Sequence, residues 1–110
     1  MNVLIKNAKI VDGNSPYNGK KIDVLIEKGV ITKIDKSITN KNNYKELDFK
    51  NLHLSPGWID MRVNFCDPGH EYKEDLTSGL KAAALGGFTA VVTMPDTDAP
   101  IDSKSGVEYL

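Results

Sequence analysis

The sequence predicts an α/β fold in two parts: a strand-rich segment over residues 1–54, then a β-α-β unit over 55–110 that runs into a further helix. Three observations carry this. Short apolar clusters separated by turn residues fill the first half, a 3.6-residue apolar period appears only after residue 70, and Ser55-Pro56-Gly57 marks the change between them.

Each element follows in order. The stretch "NVLIKNAKIVDG" holds two apolar clusters ahead of Asp12-Gly13, and "KIDVLIEKGVITKID" reads as two strands joined at Lys28-Gly29. A small antiparallel layer is expected from these. Residues 36–46 are polar and turn-rich, which predicts an exposed connection before a short strand around Leu47–Leu54. "GWIDMRVNF" and "FTAVVTM" are strand-like, and "EDLTSGLKAAALGG" between them is helical. Leu76, Leu80, Ala83 and Ala84 form its apolar stripe, expected on the sheet, with Glu74 and Asp75 favourable at the N-terminal end and Gly86 placed to stop it. A helical crossover makes the two strands parallel, and the apolar run Phe88 to Val92 suits a strand covered on both faces. "SKSGVEYL" opens a second helix.

With 110 residues, a net charge of −1 and 40% hydrophobic content, the chain has the bulk of one soluble domain and no charge bias toward nucleic acid or anionic membrane. No apolar run approaches the ~18 residues that span a bilayer, and the first residues lack the pattern of a secretory signal. A cytoplasmic protein is expected. The single cysteine, Cys66, excludes an intrachain disulfide. Two parallel strands and one helix leave most of their apolar surface unburied, so the chain is expected to be an N-terminal piece of a larger α/β barrel, or to need a partner.

The chemistry concentrates in "GWIDMRVNFCDPGH". Asp60, Arg62, Asn64 and Cys66 fall on alternate positions and so share one face of an extended strand. An acid, a guanidinium, an amide and a thiol on one face are a site or the remains of one.

Residues 55–102 resemble the dihydroorotases of the amidohydrolase superfamily. The likeness rests on Pro56, Gly57, Ile59 and Asp60; on Pro68, Gly69, Glu71, Lys73, Glu74 and Asp75; on Ala82, Ala83, Gly86, Gly87, Phe88 and Thr89; and on Met94, Pro95 and Thr97. Allantoinases and dihydropyrimidinases share parts of this frame, but "EYKED" and Met-Pro-x-Thr favour dihydroorotase. The resemblance implies the start of a (β/α)8 barrel at 55–110, preceded by the N-terminal strands of a small composite β-sandwich at 1–54. It also implies zinc in the active family, held by two histidines of an Asp-x-His-x-His-x-Arg strand whose arginine grips the substrate carboxylate.

At those three positions this chain has Arg62, Asn64 and Cys66, and Asp96 stands where the family has a substrate-binding asparagine. Hydrolysis of a cyclic amide uses a metal to polarise the carbonyl and bring the pKa of its water to ~7. A guanidinium has no lone pair to give and repels a cation, and an amide oxygen suits hard ions better than zinc. Cys66 cannot grip a carboxylate bidentately, and Asp96 repels an anionic substrate. The expectation is a catalytically inactive dihydroorotase-like protein of the pyrimidine-biosynthesis family, with no cofactor of its own, acting as a structural or assembly partner. By family analogy the partner is aspartate transcarbamoylase or a second copy. Asp60 and Arg62 are expected to form a structural ion pair in place of the metal. The alternative is an active zinc-dependent cyclic amidohydrolase whose ligands lie downstream of residue 110.

Other residues have bland readings beside sharp ones. Cys66 and His70 are half of a relocated metal site, or a buried thiol and a solvated imidazole; His53 lies between Leu52 and Leu54 and reads as packing or surface. Glu74 and Asp75 read as a helix start, leaving Lys73 as the functional residue if "HEYKED" has one.

Overall fold

Strand β1 (Val3–Ile10) shows a change of phase along its length. Val3 and Ile5 alternate toward one face, yet the next core residues are Ala8 and Ile10, three and five positions further on rather than two and four. An extra residue absorbs the slip: Ile5 sits opposite Val24 and Ala8 opposite Ile22 on strand β2 (Lys21–Glu27), so three steps on β1 match two on β2. Asn7 takes the left-handed conformation (φ 52°), which asparagine tolerates better than most residues. The bulge thereby keeps Val3, Ile5, Ala8 and Ile10 in one core with Ile22 and Val24.

The computed structural model describes residues 1–110 and divides into two compact units, Met1–Pro56 and Gly57–Leu110. In the first, β2 pairs antiparallel with strand β3 (Val30–Asp35) through Lys28-Gly29, both at positive φ (52° and 82°) as a primed two-residue hairpin turn requires. The expected single strand near Leu47–Leu54 is instead two short ones, strand β4 (Lys45–Leu47) and strand β5 (His53–Leu54). Both run parallel to β1, β4 along Val3–Ile5 and β5 along Lys9–Ile10, so the layer is mixed rather than antiparallel. The bulge divides the β1 edge, and each half takes its own partner.

In the second unit, strand β6 (Trp58–Val63) and strand β7 (Phe88–Thr93) pair in parallel, joined by helix α1 (Leu76–Leu85), and helix α2 (Lys104–Tyr109) follows. Asp75 caps α1: its carboxylate accepts the Ser78 N–H (2.8 Å) and the Ser78 hydroxyl accepts the Asp75 N–H (3.3 Å). Gly86 closes the helix, and Gly87 takes the left-handed turn into β7. The packed face differs from the expected stripe. Gly79 is the one buried helix residue, because the Phe65 ring lies where its side chain would be (2.3 Å from an added Cβ), while Leu80 and Leu85 stay exposed. Nor is β7 covered on both faces: Thr89, Ala90 and Val92 are exposed, since a single helix can cover only one side of a two-stranded sheet. No helix is long and apolar enough to cross a membrane.

Candidate functional site

The strand-end residues take up positions that strict alternation does not give. Asp60 sits opposite Val91 and Val63 opposite Thr93, so β6 uses three steps where β7 uses two, and the extra residue falls at Met61-Arg62. Alternation is lost between Asp60 and Arg62. The expected Asp60–Arg62 ion pair is therefore not formed: Asp60 instead accepts the backbone N–H of Arg62 (2.9 Å), and the exposed Arg62 guanidinium belongs to none of the ion pairs in the molecule. An exposed guanidinium stays hydrated and needs no partner, which removes the reason for a buried pair.

The strand ends at Val63, so Asn64 and Cys66 belong to the following loop. There Asn64 does two things at once. Its amide nitrogen donates to the Asp96 carboxylate (3.2 Å), and its amide oxygen accepts the Cys66 N–H (3.0 Å). The second bond is a local side-chain turn that supports Cys66 at φ 62°, an unfavourable conformation for a residue with a Cβ. Residues 64 and 96 are thus joined directly, across the ends of β6 and β7, where Met94 also donates its N–H to Val63 (2.9 Å).

A second clasp lies just beyond. Gly69, at φ 104°, passes so close to Asp98 that an added Cβ would sit 1.9 Å from its carbonyl oxygen, and Asp98 donates its N–H to Pro68 (3.2 Å). Asp67, which the sequence did not single out, is 8% exposed and accepts the Tyr109 hydroxyl (2.8 Å) and the first helical N–H of α1, from Leu76 (3.4 Å). The bond from Tyr109 raises that phenol above its ordinary pKa, because ionisation would bring two negative charges together. The only advance signal for Asp67 is its place in Asp-Pro-Gly, a turn sequence. Nothing local announces Tyr109 as its donor.

The remaining candidates do not converge. The His70 ring packs edge-on to Tyr72 (6.0 Å), and the His70 backbone N–H donates to the Cys66 carbonyl (2.8 Å), so the 66–70 spacing forms a turn. His53 Nδ1 contacts the Asn51 carbonyl (2.7 Å) at the surface of the first unit. Lys73 lies over the Tyr72 ring (5.4 Å), and Glu71 is held below its usual pKa by the N–H of Gly69. No three histidine, cysteine or acidic side chains gather to hold a metal. Arg62 and Asn64 do not fit a zinc ion, the first for want of a lone pair and the second because its amide is already bonded at both ends.

A family described as "Dihydro-orotase-like" matches residues 52–110. A dihydroorotase of Carboxydothermus hydrogenoformans is 45% identical over 112 residues, covering 99% of this chain and 25% of the relative. One of Geobacter metallireducens is 40% identical over 110 residues, covering 100% and 26%. Among solved structures, a D-hydantoinase aligns with a TM-score of 0.74 at 31% identity over 99% of this chain and 23% of its own. A dihydropyrimidinase from Brevibacillus agri aligns with a TM-score of 0.73 at 26% identity, with the same coverage. The chain spans about a quarter of the length of the curated relatives it matches. With a mixed α/β structure like the N-terminal regions of these amidohydrolases, the chain belongs to the dihydroorotase-like family.

Proposed function

We propose that this chain is the N-terminal part of a dihydroorotase-like protein that does not hydrolyse cyclic amides and serves as a structural or assembly partner in the cytoplasm. Residues 1–54 supply strands of a composite β-sandwich, and 55–110 supply the first β-α-β unit of a (β/α)8 barrel. The observation that carries this reading is the Asn64 amide, bonded to Asp96 and to Cys66 where the family resemblance places a zinc ligand. A merely vacated site would leave those exposed groups without protein partners. Here they are spent on one another, as in a strand end rebuilt for structure. By analogy the partner is aspartate transcarbamoylase or a second copy.

The 40–45% identity to dihydroorotases favours a second reading: an active zinc-dependent cyclic amidohydrolase with its ligands downstream of residue 110. One experiment separates the two. The purified full-length protein is assayed by elemental analysis for zinc and for interconversion of dihydroorotate and carbamoyl-aspartate, then run in gel filtration with and without the transcarbamoylase. The expected result is substoichiometric zinc, no turnover and co-elution. Stoichiometric zinc with turnover would overturn the inactive reading, and separate elution with the transcarbamoylase's activity unchanged would remove that partner.

A further inference from the structure

The polar connection after β3 is built rather than loose. Ile38, 6% exposed, donates its N–H to Asp23 (2.8 Å), and its carbonyl accepts the Lys6 ammonium (3.1 Å). At the other end Asn40 and Tyr44 exchange two bonds, each 2.8 Å, between the Asn40 amide and the Tyr44 backbone. The Tyr44 hydroxyl donates to Glu27 (3.0 Å). Held at both ends, the segment walls a cleft of about 400 Å³ within the first unit, with Lys33, Ser37, Thr39, Lys41 and Asn42 among its polar lining and no carboxylate.

The geometry points to this cleft as a binding site for a small dianionic oxyanion, phosphate or a phosphate monoester. Such an ion offers mainly acceptor oxygens, and Lys41, Ser37 and Thr39 stand exposed as donors for it. Lys33 reaches Asp35 at 3.5 Å, but both are about half exposed, and such a pair yields readily to a stronger acceptor. No acid is among the lining residues, although the chain as a whole carries −1; the carboxylates bonded to the lining are Asp35, on Lys33, and Glu27, on the Tyr44 hydroxyl. The anchoring of Ile38 and Asn40 sets the loop before any ligand arrives, so little ordering opposes binding. The volume exceeds a bare phosphate and leaves room for the body of an ester. The inference is independent of the activity assigned to the second unit.

The test is a heteronuclear NMR titration of the protein with inorganic phosphate and, separately, glycerol phosphate, at ionic strength matched with sodium chloride. Saturable shifts confined to residues 37–44 and Lys33 are expected, and Lys41→Gln should weaken binding about tenfold, the loss of one charged hydrogen bond. Thr39→Ala, at an exposed position, should weaken it by a smaller factor. Equal affinity for the two probes assigns the site to free phosphate, and tighter binding of the ester assigns it to a phosphorylated metabolite. Shifts that rise linearly, that sodium chloride reproduces, or that both variants leave unchanged would overturn the proposal.

Discussion

Asp23 is 1% exposed, and its carboxylate collects three donors: the Lys6 ammonium, the Asn7 N–H at the bulge (2.9 Å) and the Ile38 N–H (2.8 Å). Burial pushes its pKa up, but the bonds from Lys6, Asn7 and Ile38 outweigh it and hold the carboxyl below the ordinary 3.8. A group depressed on folding stabilises the fold fully above its unfolded pKa and loses that contribution as pH falls through the folded value. Stability should therefore be flat above pH ~4 with respect to this group and decline on further acidification. Asp23→Asn should cost about 2–3 kcal/mol at neutral pH and flatten the acid limb, as read by denaturant melts at several pH values. An unchanged acid limb in the variant would show that other carboxylates set it. Nothing local announces this residue, because its three donors lie 17 and 16 positions before it and 15 after it, and one depends on the bulge. Asp60 and Arg62 teach the converse. Their alternate spacing is legible, but the irregular pairing that breaks it belongs to the register with β7.

Among elements, the periodic ones are legible from sequence: the hairpin at Lys28-Gly29, the helix bounded by Asp75 and Gly86, and the parallel β6 and β7 all follow from local chemistry. The division of the β1 edge between β4 and β5 does not, since two- and three-residue strands have too little period to read. The clasp between the ends of β6 and β7 is likewise a meeting of distant residues. Asn64→Ala and Asp96→Ala should each destabilise by roughly 0.5–1.5 kcal/mol, the net worth of an accessible amide–carboxylate bond. Together they should cost less than the sum, with a coupling of about 0.5 kcal/mol or more in a double-mutant cycle from equilibrium melts. Strict additivity would show that the Asn64–Asp96 bond adds no stability of its own.

At the scale of the molecule, every buried apolar side chain except Phe65 lies in the first unit. Trp58, Ile59, Met61, Leu80, Leu85 and Val92 of the second unit remain exposed, a density of uncovered apolar surface that ordinary folded domains avoid. Local opening should follow this division. In native-state hydrogen exchange, amides of β1 and β2 should be protected at least about tenfold more than those of β6 and β7. Equal protection in the two units would show that the β6–β7 layer is stabilised by more than the contacts described.

The bulge at Asn7 sets the reading frame of the first unit's core. Every residue from Val3 to Ile5 faces inward or outward by a count that restarts at Ala8. A substitution at Asn7 changes one conformation, whereas loss of the residue would turn one half of the strand inside out relative to the other. The position is thus governed by number more than by identity, and the sheet guards the count of residues there more closely than the residue itself.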